Sequence, residues 1–215
     1  MESIIDVFLH LDTHLTEFVA AYGRWVYALL FLIIFAETGL VVTPILPGDS
    51  LLFAAGALAA TGSLDIRLLL ILLILAAILG DAVNYAVGKA VGPRIFRSID
   101  RTSWWQRLLN REHLARAHEF FEKYGGKAII LGRFVPIVRT FVPFVAGAGT
   151  MTYPMFALFN VTGAVIWVGI CTLGGYAFGN VPVVRDNFSL VAIGIVLVSM
   201  IPIAIEYLKR RRARV

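Results

Sequence analysis

Three long runs of apolar residues dominate the chain, and their length predicts membrane-spanning helices. They cover residues 66–90, 154–179 and 188–208. An α-helix needs about 20 predominantly apolar residues to cross a hydrocarbon core roughly 30 Å thick. Asp81 is the one acidic residue of the first run, and the second run contains no charged residue. We therefore expect all three runs to span a membrane.

Two further apolar stretches, 25–62 and 127–150, are interrupted by prolines and favour a different structure. Each contains a pair of prolines, and the four are Pro44, Pro47, Pro136 and Pro143. Proline lacks a backbone N–H and disturbs the preceding helical turn, so an unbroken spanning helix is disfavoured. Broken backbone at membrane depth is tolerated where it is buried in protein or faces a water-filled cavity. We interpret both stretches as re-entrant helical hairpins, with a kinked spanning helix as the alternative.

The order of these elements is repeated within the chain. An amphipathic segment of the kind that lies at a membrane interface, then a hairpin, then a spanning helix make up residues 3–91 and again residues 111–180. Matching positions follow in the same order, and they are Glu37-Thr38 with Arg139-Thr140, Ala55-Gly56-Ala57 with Ala146-Gly147-Ala148, and Tyr85-Ala86 with Tyr176-Ala177. The first match has an offset of 102 residues, and the others, after a single gap, have an offset of 91.

Composition and charge limit the class of protein and its orientation. Apolar residues make up 59% of the 215 residues and charged residues only 15%, whereas a soluble domain carries about 25% charged residues. Fourteen of the 19 Lys and Arg residues fall within 89–127 or 209–214. Basic clusters beside apolar spans are typical of cytoplasmic segments, so the net charge of +5 does not indicate nucleic acid. We predict one membrane domain over residues 1–215, ending in span 188–208 and a basic cytoplasmic tail.

This orientation makes the two copies inverted in the membrane. Span 66–90 must lead towards the basic loop, and span 154–179 must lead away from it. Inverted repeats with broken helices near the membrane midplane are typical of secondary transporters. The pattern therefore predicts an all-α, polytopic membrane protein with two re-entrant hairpins plus spanning helices.

Four charged residues lie in the interior of the proline-broken stretches, apart from Lys127 at the start of the second. Glu37 and Asp49 lie in the first, and Arg133 and Arg139 lie in the second. A charge at the bilayer centre costs at least about 2.5–3.5 kcal/mol, so each needs a partner or a wet cavity. In one interpretation, buried salt bridges lock the hairpins together. In the other, the arginines bind a phosphate headgroup, which suits the donor fork of guanidinium, and Glu37 or Asp49 carries protons or gates the site.

Asp81 belongs to a separate motif, Gly80-Asp81-x2-Asn84-Tyr85-x2-Gly88. Residues three positions apart share one face of a helix, so Asp81 and Asn84 are neighbours. Small residues at this spacing allow close helix packing in membranes. We assign Asp81, Asn84 and Tyr85 chiefly to structure.

The sequence offers little for catalysis. All four histidines lie in the amphipathic segments, away from the hairpin charges, and they are His10, His14, His113 and His118. No carboxylate or cysteine follows the first pair at zinc-site spacing, and no glycine-rich phosphate loop is present. We expect no enzyme activity, no metal and no cofactor.

One segment from each proline-broken stretch resembles a signature of the DedA family, also called the VTT or SNARE-associated domain family. These segments are Phe35-Ala-Glu37-Thr-Gly-Leu-x3-Pro44-x2-Pro47-Gly48-Asp49-Ser50 and Gly132-Arg133-Phe134-x-Pro136-x2-Arg139-Thr140. The motif around Asp81 is a third matching element, and the resemblance extends over nearly the whole chain.

The resemblance implies two opposing re-entrant hairpins and a role in lipid translocation across the bacterial cytoplasmic membrane. It implies undecaprenyl phosphate or a phospholipid headgroup as the substrate, and it places the family's required residues on Glu37, Asp49, Arg133 and Arg139. The expected partners are membrane lipids. Coupling to protons and assembly into a homo-oligomer stay open. The alternative functions are a proton- or ion-coupled transporter that supports membrane homeostasis, and a membrane assembly scaffold without transport.

Overall fold

The computed structural model describes residues 11–40, 48–97, 111–149, 151–182 and 184. Its helices are α1 (Leu11–Gly39), α2 (Gly48–Ala60), α3 (Ile66–Arg97), α4 (Arg111–Tyr124), α5 (Lys127–Gly132), α6 (Pro136–Ala148) and α7 (Tyr153–Gly179). No β-strand occurs within these ranges, so the all-α class is confirmed. The predicted span 188–208, together with Pro44 and Pro47, lies outside the described residues.

Two of the predicted spans are present as long apolar helices. Ile66–Gly92 of α3 and Tyr153–Gly179 of α7 are each long and apolar enough to cross a membrane. The start of α3 is fixed by Asp65, whose carboxylate accepts hydrogen bonds from the N–H groups of Arg67 (2.8 Å) and Leu68 (3.0 Å). These N–H groups hold the pKa of the exposed Asp65 carboxyl below its ordinary value, as expected for a carboxylate that caps a helix.

The second proline-broken stretch contains two short helices. Helix α5 ends at Gly132, and α6 begins at Pro136 after Val135 in an extended conformation. Proline suits the first turn of a helix because its missing N–H has no intrahelical partner there. Pro143, by contrast, lies inside α6, so the expectation that it interrupts the helix was wrong. The φ angle of proline is compatible with a helix, and the buried packing of α6 outweighs the lost hydrogen bond and the crowding of the carbonyl four residues earlier.

Helices α2 and α6 each contain 13 residues. At 1.5 Å per residue, a helix of this length extends for about 20 Å. This is shorter than the hydrocarbon core of roughly 30 Å. The re-entrant arrangement of the two hairpins stays a prediction with which these lengths agree.

The chain divides into two compact units, which are described separately. Unit 1 contains residues 1–30, 45–70 and 170–215. Within it, α2 packs against the end of α7 through glycines. A Cβ atom at Gly56 would overlap the carbonyl oxygen of Thr172, and one at Gly175 would overlap the carbonyl oxygen of Phe53. The two backbones are therefore in direct contact, as small residues permit.

Unit 2 contains residues 31–44 and 71–169. Here α6 packs against α3 in the same way, because a Cβ at Gly147 would overlap the carbonyl oxygen of Tyr85 and one at Gly88 would overlap that of Phe144. Phe144 and Gly147 lie 91 positions after Phe53 and Gly56 of unit 1. The contacting residues of α2 and α6 are therefore equivalent in the predicted repeat, whereas the positions that they face on α7 and α3 differ by four residues, about one helical turn.

The apolar core of unit 2 surrounds α6. Phe141, Phe144 and Val145 of this helix are buried against Phe156 of α7. Half-buried aromatic side chains of α4 pack against the same cluster, and the acidic and basic side chains described at the end of α4 are exposed. This packing fixes the position of α6, which carries one of the predicted site residues.

Candidate functional site

Buried polar side chains from five helical segments meet within unit 2. We call this group the polar core, and its members are Glu37, Thr38, Asp81, Asn84, Arg133, Arg139, Thr140 and Asn160. None of them exposes more than 6% of its surface. A charged side chain this deeply buried is stable only when it is paired and hydrogen-bonded.

Arg133 directly follows α5 and is held by two acceptors. Its Nη2 atom donates to Asp81 Oδ2 at 2.6 Å and to Asn160 Oδ1 at 2.6 Å. Asn160 in turn donates from Nδ2 to the carbonyl oxygen of Ile78 at 3.1 Å. A Cβ atom at Gly163 would lie 3.1 Å from Arg133 Nε, so a glycine at this position leaves room for the guanidinium.

Arg133 has further donors for which the described part of the chain supplies no acceptor. Its Nε and Nη1 atoms are buried without a hydrogen-bond partner among the described residues. Leaving a buried charged donor unsatisfied costs more than about 1–3 kcal/mol, the usual cost for a neutral group. Most such groups in proteins are satisfied by protein or by bound water or ions. These donors therefore favour a bound acceptor beside Arg133.

Arg139, on the first turns of α6, forms the second ion pair. Its Nη2 atom donates to Glu37 Oε1 at the end of α1. Glu37 and Arg139 occupy equivalent positions of the predicted repeat. The side chain of Asn84 links the same two segments, since its Nδ2 donates to the carbonyl oxygens of Thr38 (3.1 Å) and Thr140 (2.7 Å).

Both guanidinium groups lie over one aromatic ring. The ring centroid of Trp167 is 5.6 Å from Arg133 Cζ and 5.1 Å from Arg139 Cζ. These distances fall within the range of roughly 6 Å in which a cation is attracted by an aromatic face. Trp167 itself is fully buried. The two arginines of the polar core therefore share one aromatic surface, and each is paired with one acidic side chain.

The structure brings three of the four predicted charged site residues into the polar core. Asp49 belongs to unit 1, where its side chain is exposed in the first turn of α2. The ion pair of Arg133 is made with Asp81, which the sequence had assigned to helix packing. Tyr85, from the same motif, donates its hydroxyl to the carbonyl oxygen of Met151 at 2.6 Å.

The sequence did not predict the three residues of α7 that contact the arginines. Asn160, Gly163 and Trp167 have spacings of three and four residues, which place them on one helical face. A signal for them was available. Tryptophan is enriched at the ends of membrane spans, whereas Trp167 lies midway along an uncharged one.

Long apolar helices around a buried cluster of paired charges define a helical membrane protein with an internal polar site. The profile of the VTT domain matches residues 46–177. The chain is 53% identical over 212 residues to Protein DedA of Escherichia coli (strain K12), covering 98% of this chain and 94% of that protein. This chain therefore belongs to the DedA family of membrane proteins, and the resemblance inferred from its motifs is confirmed.

Two further relatives are named as membrane proteins. The uncharacterized membrane protein Rv0364 of Mycobacterium tuberculosis (strain ATCC 25618 / H37Rv) is 42% identical over 195 residues, which cover 90% of this chain and 83% of that protein. The inner membrane protein YqjA of Escherichia coli (strain K12) is 38% identical over 157 residues, which cover 73% of this chain and 69% of that protein. No solved structure matches the chain.

Proposed function

We propose that this chain is a lipid transporter, a flippase or scramblase of the bacterial cytoplasmic membrane, which translocates undecaprenyl phosphate or a phospholipid headgroup. One observation carries the proposal. Two arginines, Arg133 and Arg139, are buried over the same ring, that of Trp167, and Arg133 has donors with no acceptor among the residues that the structure describes. Guanidinium presents donors in a planar fork that matches phosphate oxygens.

The charge balance of the polar core suggests how binding and release are linked. With Glu37 and Asp81 ionised, the site is neutral and both arginines are paired. A phosphate headgroup that binds the Nη2 atoms used in these pairs must therefore displace a carboxylate. A carboxylate that loses its partner at this depth is costly as an anion, and a proton would neutralise it. Coupling of lipid movement to the proton gradient follows from this exchange and is part of the proposal.

The proposed transporter contains the two opposing re-entrant hairpins and the inverted repeat. The short helices α2 and α6 support this, as do the matching glycine contacts made by Gly56 and Gly147. Its C-terminus lies in the cytoplasm, and its partners are membrane lipids rather than nucleic acid. Asp49 is assigned a gating role at the start of α2, and no catalytic step is assigned to any residue.

The test is lipid movement in proteoliposomes that contain the purified full-length chain. Labelled undecaprenyl phosphate and labelled phospholipids are followed with and without a pH gradient. We expect the wild type to move one of these lipids and the variants Arg133→Ala and Arg139→Ala to fail while folded. Arg67→Ala is the matched control, because Arg67 is exposed at the start of α3. A wild-type protein that moves no lipid under either condition refutes the proposal, and ion movement without lipid would favour the ion-coupled transporter.

A scaffold function is the second candidate, since both arginines are already paired in the structure. Exchanging the charges, as Glu37→Arg together with Arg139→Glu, separates the two functions. A pair that only joins α1 to α6 should work in either orientation. A headgroup site should be lost, because the exchange moves the cation to a different helix. Recovery of cellular function in the exchanged protein would therefore support the scaffold.

A further inference from the structure

We infer that Trp167 is a positioning residue that holds both guanidinium groups of the polar core in place when their carboxylate partners are exchanged for a phosphate group. The inference rests on the proposed lipid transport and assigns a role to a residue outside the family motifs quoted above. Trp167 contacts no substrate in this scheme. It acts through Arg133 and Arg139.

The ring contact and the ion pairs of the two arginines are made by different helices. The carboxylate partners come from α1 and α3, whereas the ring comes from α7. The ring lies 5.6 Å from one guanidinium carbon and 5.1 Å from the other. Loss of a carboxylate contact therefore leaves the cation–aromatic contact in place. Tryptophan provides the strongest attraction of any aromatic side chain for a cation, and the attraction increases when the pair is desolvated.

The residues of α7 that lie near Trp167 accommodate the side chain of Arg133. On the same face, Asn160 accepts a hydrogen bond from Arg133, and Gly163 lies close enough to Arg133 that a Cβ there would press on the guanidinium. This face of α7 therefore offers an amide acceptor, a gap and an aromatic ring in succession. The alternative is that Trp167 only fills volume in the core, as other large buried side chains do.

Substitutions of Trp167 that keep or remove an aromatic ring distinguish positioning of the arginines from filling of volume in the core. Trp167→Phe keeps an aromatic face, and Trp167→Leu keeps an apolar side chain without one. Trp25→Leu is the control, because Trp25 is 74% exposed. In the proteoliposome assay we expect Trp167→Leu to raise the lipid concentration for half-maximal rate by about tenfold, and Trp167→Phe by less, as the strength of a buried cation–aromatic contact implies. The maximal rate should change less than this concentration.

A second measurement reports on the ring without any transport. The other tryptophans, Trp25, Trp104 and Trp105, are replaced by phenylalanine so that emission comes from Trp167 alone. Glu37→Gln is then introduced to weaken the ion pair with Arg139. We expect the emission maximum to shift, because the charge next to the ring changes its surroundings. The Arg67→Ala background, which alters an exposed charge, should leave the emission unchanged.

The outcomes distinguish failure of this inference from failure of the proposed function. If the wild type moves lipid but Trp167→Leu shows the wild-type half-maximal concentration, the positioning role is refuted and the transporter stands. An emission maximum that is the same with and without Glu37→Gln also refutes the positioning role. If the wild type moves no lipid while the emission responds, lipid transport is refuted, and the contact between ring and arginines is supported on its own.

Discussion

Removing one partner of the Glu37–Arg139 pair should damage the protein far more than removing both. The Arg139 and Glu37 side chains are only 5% and 2% exposed, so little water is available to either charge once its partner is lost. The variants needed are Arg139→Met, Glu37→Leu and the combination of both. Methionine and leucine keep apolar volume at these positions without introducing new charges.

The expected magnitudes follow from the burial of the pair. Deleting one partner of a buried ion pair leaves an uncompensated charge and typically costs about 3–5 kcal/mol of stability. Replacing both partners by apolar side chains is often neutral, or stabilising by about 1–4 kcal/mol, because the desolvation cost of two ions disappears. The double variant should therefore be several kcal/mol more stable than either single variant. An exposed pair would give only about 0–1 kcal/mol.

The assay is denaturant unfolding of the purified full-length chain in detergent micelles, followed by tryptophan emission. Arg67→Met is the control for loss of an exposed positive charge, and it should unfold at the wild-type denaturant concentration. The double variant is then reconstituted for the lipid assay. We expect it to be folded and inactive, because it has lost a headgroup-binding arginine without losing stability.

Two results would contradict this reasoning. A double variant as unstable as the worse single variant would mean that the side chains act through contacts other than their mutual pair. A folded double variant that still moves lipid at the wild-type rate would remove Arg139 from the transport site. The first result concerns the energetics of the pair, and the second concerns its function.

Three further perturbations test other contacts. Gly147→Ala should destabilise unit 2 by about 1–3 kcal/mol or more through overpacking against α3. The control Gly23→Ala has no atom within 4 Å of the added carbon and should not destabilise the protein. The denaturant concentrations at which the two variants are half unfolded are compared with that of the wild type. The pKa of Asp65 is lower in the folded protein than its ordinary 3.8, so its stabilisation is present above that value and lost as the pH falls through the folded pKa. Asp65→Ala should remove this pH dependence of unfolding, and a variant that keeps the wild-type dependence would contradict the capping role. Asn160→Leu takes one acceptor from Arg133 and should cost about 1.5–3 kcal/mol, and an unchanged midpoint would refute that contribution.

Elements that depend on local composition could be predicted from the sequence almost to the residue. The expected spans 66–90 and 154–179 correspond to Ile66–Gly92 and Tyr153–Gly179. The amphipathic segment predicted at the start of the second repeat, 111–180, is helix α4, Arg111–Tyr124. Length and apolar content determine such helices, and both are properties of a continuous segment. Pro143 shows the limit of this reasoning, since a proline can lie within a packed helix.

The partners in the polar core could not be predicted in the same way. Arg133 and Asp81 are separated by 52 residues, and Arg139 and Glu37 by 102. The local sequence indicates which charged residues are costly to bury, but it does not indicate which acidic residue pairs with which arginine. Asp81 was assigned to packing because glycines flank it, and those glycines do allow close helix contact. The glycines contact α1 and α6, whereas the Asp81 carboxylate pairs with Arg133 after α5, so one face pattern on α3 serves both packing and an ion pair.

Asn84 limits which parts of this region can move independently. One amide nitrogen supplies both of its hydrogens to backbone carbonyls, at Thr38 of α1 and Thr140 of α6. Each carbonyl can move only a fraction of an ångström relative to α3 before its hydrogen bond weakens. The end of α1, the start of α6 and the middle of α3 therefore move together within unit 2 unless one of these two hydrogen bonds breaks.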